Sequence, residues 1–285
     1  MSQKIAFVSD MHIAPDSAGA LRSQSLLDLP PRRKKHLVHA LDQVRQVKPE
    51  AVFLGGDNTN QAADAPGYAQ ELFDLLELCP RPWKIIPGNH DVGPTVGWHH
   101  HDPEAMKSAV KRYREIFGMD YWVHEAAGFQ VIGINSQIFG SSLQEAEQQT
   151  QWLHEVLSVP APPDLIRCIF FHTPPYLKDW DDQFTDGSEM MCLKQEARQP
   201  LKDILFQHPP DILITGHAHR FWIQREHRWW WVGLPATALP LSEMDAVPDH
   251  LVPSGTDQVG WVSLERDAES WKAEFHPLFT ESESP

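Results

Sequence analysis

Five short clusters of nitrogen and oxygen donors stand out, each beside a glycine or directly after an apolar run. In Ser9-Asp10-Met11-His12 a carboxylate and an imidazole lie two residues apart, so an extended chain projects both to one side, where they could pinch a metal ion. Alone, such a triplet reads as a solvated turn. Gly55-Gly56-Asp57 sets a carboxylate behind a glycine turn, and alone it reads as a helix or turn cap. Pro87-Gly88-Asn89-His90-Asp91 packs an amide, an imidazole and a carboxylate into consecutive positions. There the Asn89 oxygen could ligate a cation, His90 could donate a proton or hydrogen bond, and Asp91 could fix the His90 tautomer. His172 follows the apolar run Cys168 to Phe171, with a satisfied buried histidine as the alternative. Gly216-His217-Ala218-His219 offers two imidazoles at i and i+2, a good metal clip.

The elements that must position these residues can be read from apolar periodicity. Strands are expected at Ile5 to Ser9, Ala51 to Leu54, Trp83 to Ile86, Gln130 to Ile134, Leu165 to Phe171 and Asp211 to Thr215. Amphipathic helices are expected between them: Pro31 to Lys48, Tyr68 to Leu78, Pro103 to Phe117, Leu143 to Leu157 and Glu196 to Gln207. This alternation predicts an α/β protein. All five donor clusters fall at the C-terminal ends of strands, where α/β sheets place their ligands. Later, Phe221 to Arg225, Trp229 to Val232, Gly260 to Glu265 and Trp271 to His276 predict short strands forming an antiparallel second sheet or a sheet edge. No linker interrupts the pattern, so residues 1–285 are read as one domain with a frayed tail over 279–285. Four long irregular segments, Ile13 to Pro30, Val92 to Asp102, Thr173 to Gln195 and Gly233 to Val259, are expected to be lids or disordered.

Charge narrows the partners. Twenty-four Lys and Arg against 39 Asp and Glu give a net charge of −15, which disfavours long nucleic acid and points to a small substrate. No apolar run is long enough to span a bilayer and no secretory pattern opens the sequence, so a cytoplasmic protein without membrane partners is expected. Cys79, Cys168 and Cys192 are widely spaced and odd in number, which suits small core residues better than disulfides or a zinc site.

The order Asp-x-His, Gly-Asp, Gly-Asn-His-Asp, His, Gly-His-x-His, running from Asp10 to His219, closely resembles the calcineurin-like metallophosphoesterase family. The resemblance implies a four-layer sandwich of two mixed β-sheets flanked by helices. It also implies two divalent or mixed-valence metal ions, drawn from Mn, Fe, Zn, Co or Ni. One would be held by Asp10, His12 and His219, and the other by Asn89, His172 and His217, with Asp57 bridging both. The implied reaction is hydrolysis of a small phosphate ester by a metal-bridging hydroxide, with His90 and Asp91 as catalytic residues. Tyr113 to Phe117, Asp120-Tyr121-Trp122 and Gly133-Ile134-Asn135-Ser136 are similar to a branch of small phosphoesterases akin to the cyclic-nucleotide phosphodiesterases. Monoester and diester substrates both stay open. A protein phosphatase and a catalytically inactive, partner-binding scaffold are the rival readings, and intact ligand positions oppose the latter.

Three other features carry weaker expectations. His99-His100-His101 reads as a solvated loop or an extra metal or substrate contact. Trp229-Trp230-Trp231 reads as core and sheet packing, with one indole free to stack on a base. Arg220 reads equally as a phosphate contact or a structural cation.

Overall fold

The computed structural model describes residues 3–15, 29–61, 65, 67–92, 103–181, 191–243, 252–267 and 270–279. The chain runs β1 (Lys4–Val8), α1 (Leu29–Val47), β2 (Ala51–Gly55), α2 (Tyr68–Leu76), β3 (Trp83–Ile86), α3 (Pro103–Phe117), β4 (Trp122–Ala126), β5 (Phe129–Gly133), α4 (Gln144–Ser158), β6 (Ile166–Phe171), α5 (Gln195–Gln207), β7 (Ile212–Thr215), β8 (Trp222–Glu226), β9 (Trp229–Gly233), β10 (Gly260–Arg266) and β11 (Trp271–Pro277). One sheet has the order β11-β10-β1-β2-β3 and the other β4-β5-β6-β7-β9-β8. β1, β2 and β3 are parallel, as are β5, β6, β7 and β9, while the outer strands β4, β8, β10 and β11 pair antiparallel.

Central strands that are apolar at every position can bury both faces, and these do so by alternation. Ile5 and Phe7 of β1, with Ala51 and Phe53 of β2, face Cys168 and Phe170 of β6 and Ile212 and Ile214 of β7 across the inter-sheet core. Ala6, Val8, Val52 and Leu54 turn the other way, onto Leu37, Ala40, Leu41 and Val44 of α1 and Leu72 and Leu76 of α2. Ile169, Phe171 and Leu213 likewise meet Leu153 and Leu157 of α4 and Leu201 and Leu205 of α5. Four layers result, helix, sheet, sheet, helix, as the family resemblance implied. α3 lies apart, packing Met106, Val110 and Tyr113 against Val92, Ile138 and Leu143.

The expected strands and helices of the α/β alternation are present, with boundaries within about two residues. The four late strands follow the sheet-edge reading rather than forming a separate sheet: β8–β9 extend one sheet beside β7, and β10–β11 extend the other beside β1. β4 was not foreseen, because its residues WVHEA are partly exposed and carry little apolar periodicity. Of the Thr173 to Gln195 segment, Tyr176, Leu177, Trp180 and Met191 to Leu193 are buried in the core under α5, so its described parts are no lid. The central parts of the other long segments and the His99 to His101 run lie outside the described residues. So does 280–285, whereas Phe279 stacks on His39.

Cys79, Cys168 and Cys192 are buried in three different apolar clusters, as expected for core residues. Burial pushes the Cys79 thiol up to about 12. Trp229 and Trp231 are buried and Trp230 is partly exposed, the alternation of a packed strand. Among the described residues, no helix is long and apolar enough to cross a membrane.

The inter-sheet core predicts a large cost for truncating its aromatic centre. Phe170 is fully buried and meets Phe7 edge-on at 5.2 Å. Phe170→Ala is expected to lose about 3–5 kcal/mol in urea unfolding followed by circular dichroism. A loss below about 1 kcal/mol would contradict this packing.

Candidate metal centre

The C-terminal ends of the parallel strands from both sheets meet at one edge of the sandwich. Backbone bonds tie the ends together: Asp10 N–H donates to the Gly56 carbonyl at 3.1 Å, His12 N–H to Asp57 at 2.8 Å and Gly216 N–H to His172 at 2.9 Å. The two sheets are joined by side chains. His172 Nδ1, after β6, lies 2.8 Å from the Gly55 carbonyl at the end of β2, and His217 N–H reaches both Asp10 carboxylate oxygens at 3.1 and 3.2 Å.

This convergence needs unusual backbone. Asp10, His12, Asp57, His217 and His219 all have positive φ, between 46° and 66°, a conformation that non-glycine residues seldom adopt. Such strain concentrates at functional sites, where the surrounding structure holds it in place. Close approach adds a second demand. A Cβ on Gly88 would sit 2.2 Å from both the backbone nitrogen and Oδ1 of Asp57, with no flexible group able to yield.

Asp10, His12, Asp57, Asn89, His172, His217 and His219 are all brought together and buried. Three overlapping sets have ligand atoms within 4.8 Å of one another: Asp10, His12 and His219; His12, Asp57 and His90; and Asp57, His172 and His217. Asp57 Oδ2 lies between the sets, 3.6 Å from His12 Nε2 and 3.3 Å from His172 Nε2.

The donors fit a cation. A neutral imidazole carries one proton, and the carbonyls of Gly55 and Leu239, each 2.8 Å from the Nδ1 of His172 and His219, assign that proton to Nδ1. Both Nε2 lone pairs therefore point inward. His172 Nε2 faces other acceptors, Asn89 Oδ1 at 3.2 Å and Asp57 Oδ2 at 3.3 Å, and His219 Nε2 faces Asp10 Oδ1 at 3.2 Å. Lone pairs aimed at lone pairs demand positive charge between them. Protons alone register the same demand. Burial lowers the His172 imidazole, but the Asp57 and Asp10 carboxylates outweigh it and hold the ring up at about 9. Burial likewise opposes ionisation of Asp57, yet His172, His90 and His12 hold its carboxyl well below the usual range. Two carboxylates, an amide oxygen and four imidazoles, without thiolate, form a set for a hard or borderline divalent metal.

His90 stands at the rim, its side chain 41% exposed, with Nε2 3.9 Å from Asp57 Oδ2. Its Nδ1 lies 3.0 Å from the Asn60 carbonyl. The expected pairing of His90 with Asp91 is therefore corrected. Asp91 turns inward and accepts from the N–H and side-chain amide of Asn58, the N–H and hydroxyl of Thr59 and the N–H of Gly88, at 2.7 to 3.2 Å. A carboxylate reaches so many donors only by facing the loop after β2, so Asp91 joins that loop to the one after β3. Arg220 is also settled toward structure: it is buried, with Nη2 3.8 Å from Asp257.

Several supporting residues escaped the sequence reading. Ser9 Oγ donates to Asp10 Oδ2 at 2.5 Å. Asn58, Thr59 and Asn60 follow Asp57 directly, and that polar run at a strand end was a readable signal. Arg33 was not readable, because Arg32-Arg33-Lys34-Lys35 looks like a solvated helix face. Burial and the neighbouring Arg32 lower the Arg33 guanidinium to about 10. The branch motifs prove to be a buried framework: Asp120 accepts from Arg114 Nε at 2.7 Å and Asn135 Nδ2 at 2.8 Å, and Asn135 exchanges two bonds with Gln149.

A two-sheet sandwich with a buried histidine and carboxylate cluster at its strand ends has the architecture of a metal-dependent hydrolase, and the sequence comparisons identify its ester as phosphoric. The sequence profile of the calcineurin-like phosphoesterases matches residues 3–221, and the chain belongs to that family. It is 25% identical to a probable cyclic nucleotide phosphodiesterase of Synechococcus sp. over 292 aligned residues, covering 99% of this chain and 95% of that one. A probable glycerophosphodiester phosphodiesterase of Arcobacter nitrofigilis is 27% identical over 222 residues, 75% of this chain and 70% of its own. Among solved structures, a dimetal phosphatase from Danio rerio shares the fold with a TM-score of 0.61 at 12% identity, over 97% of this chain and 96% of that one.

The close approach at Gly88 yields a controlled prediction. Gly88→Ala is expected to lose bound metal and turnover, as read by elemental analysis and ester hydrolysis. Gly118→Ala, at φ 86° with nothing within 4 Å, should keep both and cost only about 1–2 kcal/mol. A Gly88→Ala protein with wild-type metal content would refute this account of the turn.

Proposed function

We propose that the protein hydrolyses a small phosphodiester with two metal ions. One ion would be held by Asp10, His12 and His219, the other by Asn89, His172 and His217, with Asp57 shared. The observation that carries this is the position of Asp57 Oδ2 between His12 Nε2 and His172 Nε2, one ring from each set, at 3.6 and 3.3 Å. When bound, the ions would supply Lewis acidity toward the phosphoryl oxygens and lower the pKa of an attacking water. The chain's own part is to hold those ligands without rearrangement, since the strained strand ends and the Asp91 junction fix them beforehand. His90, half-exposed at the rim with Nδ1 held by the Asn60 carbonyl, presents Nε2 to the centre, 3.9 Å from Asp57 Oδ2. As imidazolium it would donate a hydrogen bond or a proton to the departing oxygen.

A diester is favoured over a monoester because both relatives described above are named as phosphodiesterases. The charge of −15 supports a small substrate over a polyanion, and a cyclic nucleotide is the first candidate. Three buried cysteines that form no disulfide among the described residues suit a cytoplasmic setting.

Metal-stripped protein is expected to be inactive on bis-p-nitrophenyl phosphate and to recover with added Mn, Fe, Co, Ni or Zn, in preference to p-nitrophenyl phosphate. The opposite preference would reverse the diester assignment. Asp57→Ala should abolish turnover with any of the metals, and normal turnover in that variant would end the two-metal proposal.

A further inference from the structure

The basic run at the start of α1 is not uniform. Arg32 donates to Glu243 at 2.5 Å, and Lys34 pairs with Glu71. Arg33 between them points toward the metal centre, and no carboxylate among the described residues pairs with it. Its Nη1 donates to two neutral oxygens, the His12 carbonyl at 3.3 Å and the Asn60 side-chain carbonyl at 2.6 Å. Those acceptors belong to different loops. His12 follows β1 and Asn60 follows β2, and the loops are further stitched by Asn60 N–H to the Ile13 carbonyl at 2.9 Å and Ile13 N–H to the Asn58 carbonyl at 3.0 Å.

Asn60 is therefore held twice, and its main-chain carbonyl is the group that meets His90 Nδ1 at 3.0 Å. The His90 ring in turn packs edge-on against His12, with centroids 4.7 Å apart. One guanidinium thus grips the backbone of one ring and the residue that anchors the other. Both bonds leave the one nitrogen, Nη1, whose two hydrogens serve the two loops, and the planar guanidinium fixes the angle between them where a lysine ammonium on its flexible stem does not.

We propose that Arg33 is a positioning residue for the hydrolysis, setting the orientation of His90 through Asn60. It touches no ligand atom of the metal sets. This inference rests on the proposed role of His90, and His90 is of use to a leaving oxygen only if Nε2 is held in one orientation at the rim of the centre. Loss of the Asn60 anchor frees the ring to turn about its side-chain bonds, and catalytic power is sensitive to such misplacement.

The test is a double-mutant cycle on metal-loaded full-length protein, using aryl phosphodiesters with good and poor leaving groups. His90→Ala is expected to lower kcat by about a hundredfold. Arg33→Ala is expected to lower kcat by about tenfold with KM and metal content near wild type, and to lose almost nothing further when His90 is already alanine. Its loss should be greater for a phenolate than for a p-nitrophenolate leaving group, and Arg33→Lys should recover part of it. Should Arg33→Ala not fold, Asn60→Ala removes the same contact and is expected to show the same coupling. Equal losses with and without His90, or a fall in metal content, would overturn the proposal by assigning Arg33 to the fold or to His12. Unchanged kcat in Arg33→Ala beside a crippled His90→Ala would overturn it alone. Wild-type turnover in His90→Ala would instead remove the role of His90, and the inference with it.

Discussion

Two carboxylates, Asp10 and Asp57, are buried where the ends of two sheets meet, and the surrounding structure answers the cost of putting them there. An ionised carboxylate taken out of water must be paired, hydrogen-bonded or coordinated. Here each is surrounded by imidazoles and backbone donors: His172, His219 and the His217 N–H around Asp10, and His172, His90 and His12 around Asp57. His172 and His219 cannot complete the pairing as neutral rings, because their Nδ1 atoms are committed to the Gly55 and Leu239 carbonyls and their inward Nε2 atoms carry lone pairs. A cationic centre satisfies both deficits at once, which is the physical reason that a phosphoesterase of this family is built around metal.

Bringing the ligands together requires two sheets and a strained backbone. β1 and β2 supply Asp10, His12 and Asp57, β3 supplies Asn89, and β6 and β7 supply the remaining histidines. No single element holds a complete ligand set. The inter-sheet core of Phe7, Phe53 and Phe170 fixes the spacing, and the junctions His172 to Gly55 and His217 to Asp10 fix the register. Five of the candidate ligand residues at positive φ show that the turn geometry is imposed by the assembly rather than by local preference.

Behind the ligands lies a second tier of polar groups that determines which way the functional atoms face. Asp91 gathers five donors from two loops, Ser9 braces Asp10, and Asn60 holds His90. Such buried networks are stabilising only when their members are satisfied, and satisfied networks are rigid. Rigidity serves a hydrolase whose ligands must not reorganise as charge develops on phosphorus. The Asp120, Asn135 and Gln149 framework plays the same part further out, tying the loop after β5 to α4.

The candidate ligand residues, their order and their place after apolar strands were legible in the sequence, because ligation chemistry restricts residue type and strand burial restricts pattern. The α/β alternation was legible for the same reason, as was the fate of the cysteines and of the Trp229 to Trp231 run. The placement of β8–β9 and β10–β11 in different sheets was not, since pairing between distant strands leaves no local mark. Asp91 shows the limit most clearly. Next to His90 in sequence, it seemed placed to orient that ring, yet the turn sends the two side chains in opposite directions, and a carbonyl thirty residues earlier holds the imidazole instead. Arg33, within a run of like charges, gave no sign of turning inward. Sequence determined what chemistry the residues could do; only the tertiary structure decided which atoms face which, because that depends on turns and contacts between segments far apart in the chain.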